Sequence, residues 1–183
     1  MQNDKLKSYL HFQGIVFIWG FTAVLGALIT VGAVSLVWYR MLIASAVVFG
    51  YIKWKKISLK AKTSTLLKMM GVGVLIAMHW LTFFGAIKIS NVSITLAMMS
   101  TGAFFTSILE PIFYKRKLIW YELLFGVLVI CGLYLIFEVE TRFSEGIFVA
   151  LFSAFLAALF TLANGKLVKE NPPSKISFYE LLA

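Results

Sequence analysis

Ser35-Leu36-Val37-Trp38-Tyr39-Arg40-Met41-Leu42-Ile43-Ala44 is an apolar run with a single arginine set inside it. No other charged residue occurs between Lys7 and Lys53. If the segment spans a bilayer, a cation at its centre is disfavoured by about 2.5–3.5 kcal/mol even on the lenient scale. Residues that carry such a cost face a cavity or a partner, which makes Arg40 a candidate functional residue.

Composition decides that the segment spans. Hydrophobic residues make up 61% of the 183 and charged residues 14%, with a mean hydropathy of +0.91. A soluble domain holds about 45–50% apolar and about 25% charged residues. One globular core of this length cannot hide so much apolar surface, so the lipid bilayer is the expected first partner. The net charge of +9 does not indicate nucleic-acid binding, because the lysines lie at the ends of apolar runs and form no interleaved basic face. A single cysteine, Cys131, excludes an internal disulfide and reads as packing within a span. Lys5 and Lys7 precede the first apolar run, but that run is too long for the apolar region of a signal peptide, so it is expected to be a retained first span.

Six spans and part of a seventh can be traced, over residues 12–31, 33–52, 69–87, 92–113, 123–137, 147–163 and 176–183. Each of the first six approaches the roughly 20 residues that a helix needs to cross the hydrocarbon, the fifth with help from 118–121. The runs are long and lack period-two alternation, which argues against a β-barrel. The fold class is therefore an all-α polytopic membrane bundle. The loops are basic at 53–62 and 115–117, and acidic apart from Arg142 over 138–145. With the N-terminus in the cytoplasm, every one of the 17 basic residues except Arg40, Lys88 and Arg142 falls on the inner side. The eight residues from 176 are too few to cross, so the chain is expected to be part of a longer fold.

Two stretches repeat. Phe21, Ala23, Leu25 and Leu28 match Phe155, Ala157, Leu159 and Leu162, and Trp38-Tyr39-Arg40-Met41-Leu42 matches Phe178-Tyr179-Glu180-Leu181-Leu182. An odd number of spans separates the copies, so they are expected to run in opposite directions. Inverted repeats are a mark of secondary transporters, whose substrate sites lie near the midplane between the repeats.

On these residues the chain resembles the EamA-type permeases of the drug/metabolite transporter superfamily. The resemblance is carried by Phe17-Ile18-Trp19-Gly20, Trp38-Tyr39-Arg40, His79-Trp80, Ser100-Thr101-Gly102-Ala103, Glu110-Pro111 and Asn164-Gly165-Lys166. It implies two five-helix repeats, with 1–143 as the first and 144–183 as the opening of the inverted second. It also implies alternating-access export of small metabolites, such as amino acids or toxic compounds, across a bacterial cytoplasmic membrane. A half-transporter or non-transporting subunit, working as a homodimer or with a separate second half, is the alternative. No cofactor is implied.

The candidate residues each have a functional and a plain reading. Arg40 lies about 10 Å below the outer end of its span at 1.5 Å per residue, either snorkelling to the headgroups or binding a substrate carboxylate or phosphate. His79 lies about 16 Å from the inner end of span three, as a bonded core histidine or as a substrate and proton-coupling group. Trp19, Tyr39 and Trp80 are belt or packing aromatics that could equally line the substrate site. Ser100 and Thr101 give span four a small polar middle, suited to substrate contact or close helix approach. Glu110, before Pro111, reads as an interfacial carboxylate facing Lys115 and Arg116, or as a gate. Glu180 stands where the repeat places Arg40, as a gating or proton-coupling candidate. An enzyme is not expected: there is no His-Glu-x-x-His or Gly-x-Ser-x-Gly, and Asp4 is the single aspartate. No metal site is expected from His11 and His79.

Overall fold

The computed structural model describes residues 2–139 and 141–183, with side chains described over 5–135 and 141–183. The acidic residues expected at 138 and 140 lie outside the described side chains. The described residues form eight α-helices and no strand. They are α1 (Gln2–Leu28), α2 (Ala33–Trp54), α3 (Thr63–Ile89), α4 (Val92–Met99), α5 (Gly102–Tyr114), α6 (Trp120–Val139), α7 (Ser144–Leu167) and α8 (Pro173–Leu182). A short 3-10 turn, Thr141–Phe143, leads into α7. In hydrocarbon each backbone polar group must be satisfied within the segment, so these apolar runs become helices. Five spans are long and apolar enough to cross a membrane: Lys5–Leu28, Ala33–Trp54, Thr63–Ile89, Val92–Tyr114 and Thr141–Leu167. Trp120–Leu135 adds a shorter apolar helix. The chain is an all-α polytopic membrane protein.

The bundle has a short-turn end and a basic end. At the short-turn end, the Lys88 ammonium donates to the Ile29 carbonyl, tying α3 to the α1–α2 turn. Asn91 caps α4 there by accepting from the Ile94 amide at 2.9 Å. At the basic end, α2 closes with a left-handed residue, Lys56, at φ 52°. The Ile57 amide returns to Ile52 O at 3.0 Å and the Lys56 amide to Lys53 O at 3.2 Å, the pairing of a Schellman motif. Lysine is strained at that position where glycine is not. Lys56→Gly is expected to stabilise the fold by up to about 1 kcal/mol, read as a raised Tm in detergent.

The fourth span, expected as one helix over 92–113, is two. Ser100 and Thr101 interrupt it. The Ser100 amide and hydroxyl both bond Ala97 O, at 3.1 and 2.6 Å, and the Thr101 amide and hydroxyl both bond Met98 O, at 3.1 and 2.6 Å. Bonds to the carbonyl three residues back tighten the turn and break the α register.

α3 belongs to all three buried clusters. Near the short-turn end, Ala23 of α1, Leu36 and Val37 of α2, and Phe84 and Ile87 of α3 pack together. On its other side, Ala86 meets Ile94, Met98, Ile147 and Ala150. Near the basic end, Met69 and Val72 meet Leu167 of α7 and Ile176 of α8. α7 runs antiparallel along α3, with the small residues Gly146, Ala150, Ser153 and Ala154 buried in the seam. Small residues let membrane helices approach closely where lipid removes the hydrophobic drive. Cys131, read from the sequence as packing, is exposed on α6.

α8 lies across α2 and α3. Phe178 stacks on Phe49 of α2, with centroids 5.5 Å apart. The Tyr179 hydroxyl donates to Leu59 O at 2.8 Å and the Lys175 ammonium to Lys60 O at 2.9 Å. The basic loop thus holds α8 through its backbone carbonyls.

Candidate functional site

Arg40 lies one and a half to two helical turns into α2. Its guanidinium sits 4.2 Å from the Trp80 ring centroid and 5.1 Å from that of Phe84, both on α3. The two rings meet edge to face at 6.4 Å. A planar guanidinium over aromatic faces gains about 0.5–2 kcal/mol, more where water is scarce. The rings hold the cation in place without using its N–H donors. Among the described residues no carboxylate pairs with Arg40. Its five N–H donors, in a fixed fork, are thus engaged by no ion pair among the described residues.

His79 lies one residue before Trp80, so on a helix it points about 100° away. It faces α7, not α2. Its Nδ1 lies 2.9 Å from both Ser153 O and Ser153 Oγ, and the Ser153 hydroxyl donates to His79 O at 3.0 Å. Since the hydroxyl proton is committed to a carbonyl, Nδ1 carries the imidazole proton and donates to Ser153. Nε2 then keeps its lone pair, and the rings of Phe83 and Phe160 lie beside the imidazole, with centroids 6.0 and 5.3 Å from its own. Nitrogen-15 NMR is expected to show the Nδ1–H tautomer. Ser153→Ala is expected to keep that tautomer, through Ser153 O, while costing about 0.6–1.7 kcal/mol of stability. An Nε2–H tautomer contradicts this network.

Arg40, on α2, and His79, on α3, therefore lie on different sides of α3, Arg40 at the α2–α3 face and His79 in the α3–α7 seam. Trp80 joins Arg40. Tyr39 is exposed beside Trp38, with ring centroids 5.1 Å apart. Trp19, 68% exposed on α1, joins neither cluster. Ser100 is exposed, and its hydroxyl proton goes to its own helix. Thr101 is 2% exposed and spends its proton in the same way. It lines an apolar cavity of about 420 Å³ together with Phe104, Phe105, Tyr134, Ile147 and Phe148. The break in span four thus borders a half-open groove lined by apolar side chains of α5, α6 and α7.

Glu110 is held at the basic end. Arg116 Nη2 donates to Glu110 Oε2 at 2.6 Å and to Glu122 Oε2 at 3.1 Å, linking α5 to α6. Pro111 lies inside α5, which runs on to Tyr114 and ends at left-handed Lys115. Glu180 is 5% exposed where α8 meets α3 and α7. No ion pair joins Glu180 and Arg40 among the described residues.

Phe84, Ser153 and Asn164 complete these groups and were not singled out as site residues in the sequence. Phe84 follows Trp80 by four residues, one helical turn, which was a legible signal. Ser153 was visible only as part of a small-residue stripe, and the facing of Asn164 and Glu180 depends on where α8 crosses.

Residues 6–138 match the EamA-like transporter family. The chain is also similar to an uncharacterized transporter of Archaeoglobus fulgidus, 33% identical over 103 residues. The match covers 56% of this chain and 37% of that relative, so the chain spans little more than a third of the relative's length. No solved structure matches. The family match covers well over half the chain and takes in α1 to α6 with both Arg40 and His79: this membrane protein belongs to the EamA-like transporter family.

Proposed function

We propose that the chain forms the first five-helix repeat, 1–143, and the opening of an inverted second repeat, 144–183, of a secondary transporter. It exports small metabolites bearing an anionic group, amino acids among them, across a bacterial cytoplasmic membrane by alternating access. The N-terminus is cytoplasmic, which puts the basic end of the bundle inside and Arg40 in the outer half of α2. Arg40 binds the substrate carboxylate, Trp80 and Phe84 hold Arg40, and His79 offers Nε2 to a substrate N–H or to a coupling proton. Trp19, Tyr39, Ser100 and Thr101 stand as further substrate-side candidates, and Glu110 as a gate on the inner side.

One observation carries this reading: the Arg40 guanidinium is stacked on two rings within the membrane and has no carboxylate partner among the described residues. A cation kept for headgroup contact needs no aromatic cradle. The test is efflux from proteoliposomes loaded with a neutral amino acid or with its amide, which lacks the carboxylate. The acid is expected to leave at least about 30-fold faster, equivalent to about 2 kcal/mol for an unmatched buried charge. Equal rates contradict the reading.

A second reading has the chain act with another chain, or with a second copy, that supplies further helices. The exposed face of α1, with Phe17, Ile18 and Trp19 each more than 60% exposed, favours it. Cysteine crosslinking along that face in membranes distinguishes a lone chain from an assembled one.

A further inference from the structure

The joint of α3, α7 and α8 holds a carboxyl group that substrate recognition by Arg40 leaves unused. Glu180 is 5% exposed, next to an apolar cluster of Met69, Val72, Leu167 and Ile176. Its backbone crosses Gly73 of α3, where any Cβ would strike Glu180 O and Glu180 Cα. The side chain of Asn164, on α7, lies close enough to its carboxyl group to donate to it. Two oxygens here, Glu180 Oε1 and Asn164 Oδ1, are buried without a hydrogen-bond partner.

The carboxamide N–H serves at most one carboxyl oxygen, and Glu180 Oε1 stays buried and unpaired. Leaving a buried polar group unpaired costs about 1–3 kcal/mol, and more for a charge. The cations of the surrounding helices do not relieve it. Lys53 of α2 lies over Phe49, Lys166 of α7 lies over Phe113 and Tyr114, and Lys175 of α8 is bonded to Lys60 O. His79 of α3 is bonded to Ser153, Tyr179 of α8 to Leu59 O, and Lys68 of α3 is exposed. Among the described residues none of these reaches Glu180. A proton on the carboxyl group removes the unpaired charge, and the Asn164 carboxamide N–H can still donate to the acid.

We propose that Glu180 and Asn164 form a proton-binding site at the joint of α3, α7 and α8, with Glu180 held as the carboxylic acid and accepting from the Asn164 carboxamide N–H. The proton comes from water, one O–H bond forms, and the buried charge is removed. Because α8 is seated by contacts on α2, α3 and the 55–62 loop, releasing this proton puts an unpaired charge in the seat and favours movement of α8. That use as a coupling step rests on the transporter reading, whereas the protonation itself does not.

Infrared spectroscopy of the chain in lipid nanodiscs at neutral pH tests it. A protonated-carboxyl band is expected in the wild type and is expected to be lost in Glu180→Gln. In Asn164→Leu the same band is expected to persist but move to higher frequency, since the acid carbonyl loses its carboxamide donor. Asn164→Leu keeps Glu180, so it reports even if Glu180→Gln does not fold. No protonated-carboxyl band assignable to Glu180 overturns the proposal and indicates an ionised group, as a bound metal cation would give. A band that Asn164→Leu leaves unmoved overturns the pairing. Failure of amino-acid efflux leaves these spectra unchanged, so the two readings fail separately.

Discussion

Arg40→Ala is expected to lower amino-acid efflux by roughly 30-fold or more while leaving membrane insertion and helix content intact. The guanidinium is held 4.2 Å from Trp80 and 5.1 Å from Phe84, and its removal leaves the substrate carboxylate unpaired in a low-dielectric site. Losing one partner of such a buried charge pair costs about 2–5 kcal/mol. The loss of ring contact is smaller, about 0.5–2 kcal/mol, so a purely structural role predicts a lowered Tm with near-normal efflux per folded molecule. Arg40→Lys separates the two further. It keeps the charge but not the planar fork, and recovers only part of the rate. Near-normal efflux by Arg40→Ala removes Arg40 from the transport mechanism.

Gly73→Leu is expected to unseat α8. A Cβ at residue 73 would meet Ala183 Cβ at 2.7 Å and Glu180 Cα at 2.8 Å, with Glu180 O closer still. Backbone atoms cannot turn aside as a flexible side chain can, so α8 must shift. Overpacking of this kind costs about 1–3 kcal/mol. The Tyr179–Leu59 and Lys175–Lys60 bonds, at 2.8 and 2.9 Å, go with it. A disulfide crosslink between Phe49→Cys and Phe178→Cys, whose parent rings stack at 5.5 Å, is expected to form in the otherwise native chain and to fail in the Gly73→Leu background. Undiminished crosslinking contradicts the packing of α8 described above.

The helices were legible because lipid imposes one simple rule on the backbone, and runs of apolar residues obey it visibly. The turn at Gly32 and the tight connection ending at Asn91 were readable for the same reason. Breaks within an apolar run were not. Ser100 and Thr101 looked like a polar patch, and only the sharing of Ala97 O and Met98 O between amide and hydroxyl shows that they split the span. Depth along a helix could be counted, so Arg40 and His79 were placed at similar levels. Rotation between helices could not, and it directs Arg40 to the α2–α3 face and His79 to the α3–α7 seam. The sequence drew attention to α2 through its lone charge. The packing centre is α3, whose residues are plain in composition and gain their importance from α1, α2, α4, α7 and α8 around them.

The direct test of the central claim, that Arg40 reads a substrate carboxylate, is a four-way efflux comparison in proteoliposomes. Wild type and Arg40→Ala are each loaded with the same neutral amino acid or its amide. A preference for the acid of at least about 30-fold is expected in the wild type and none in Arg40→Ala, with amide efflux little changed by the substitution. Retention of the wild-type preference by Arg40→Ala contradicts it.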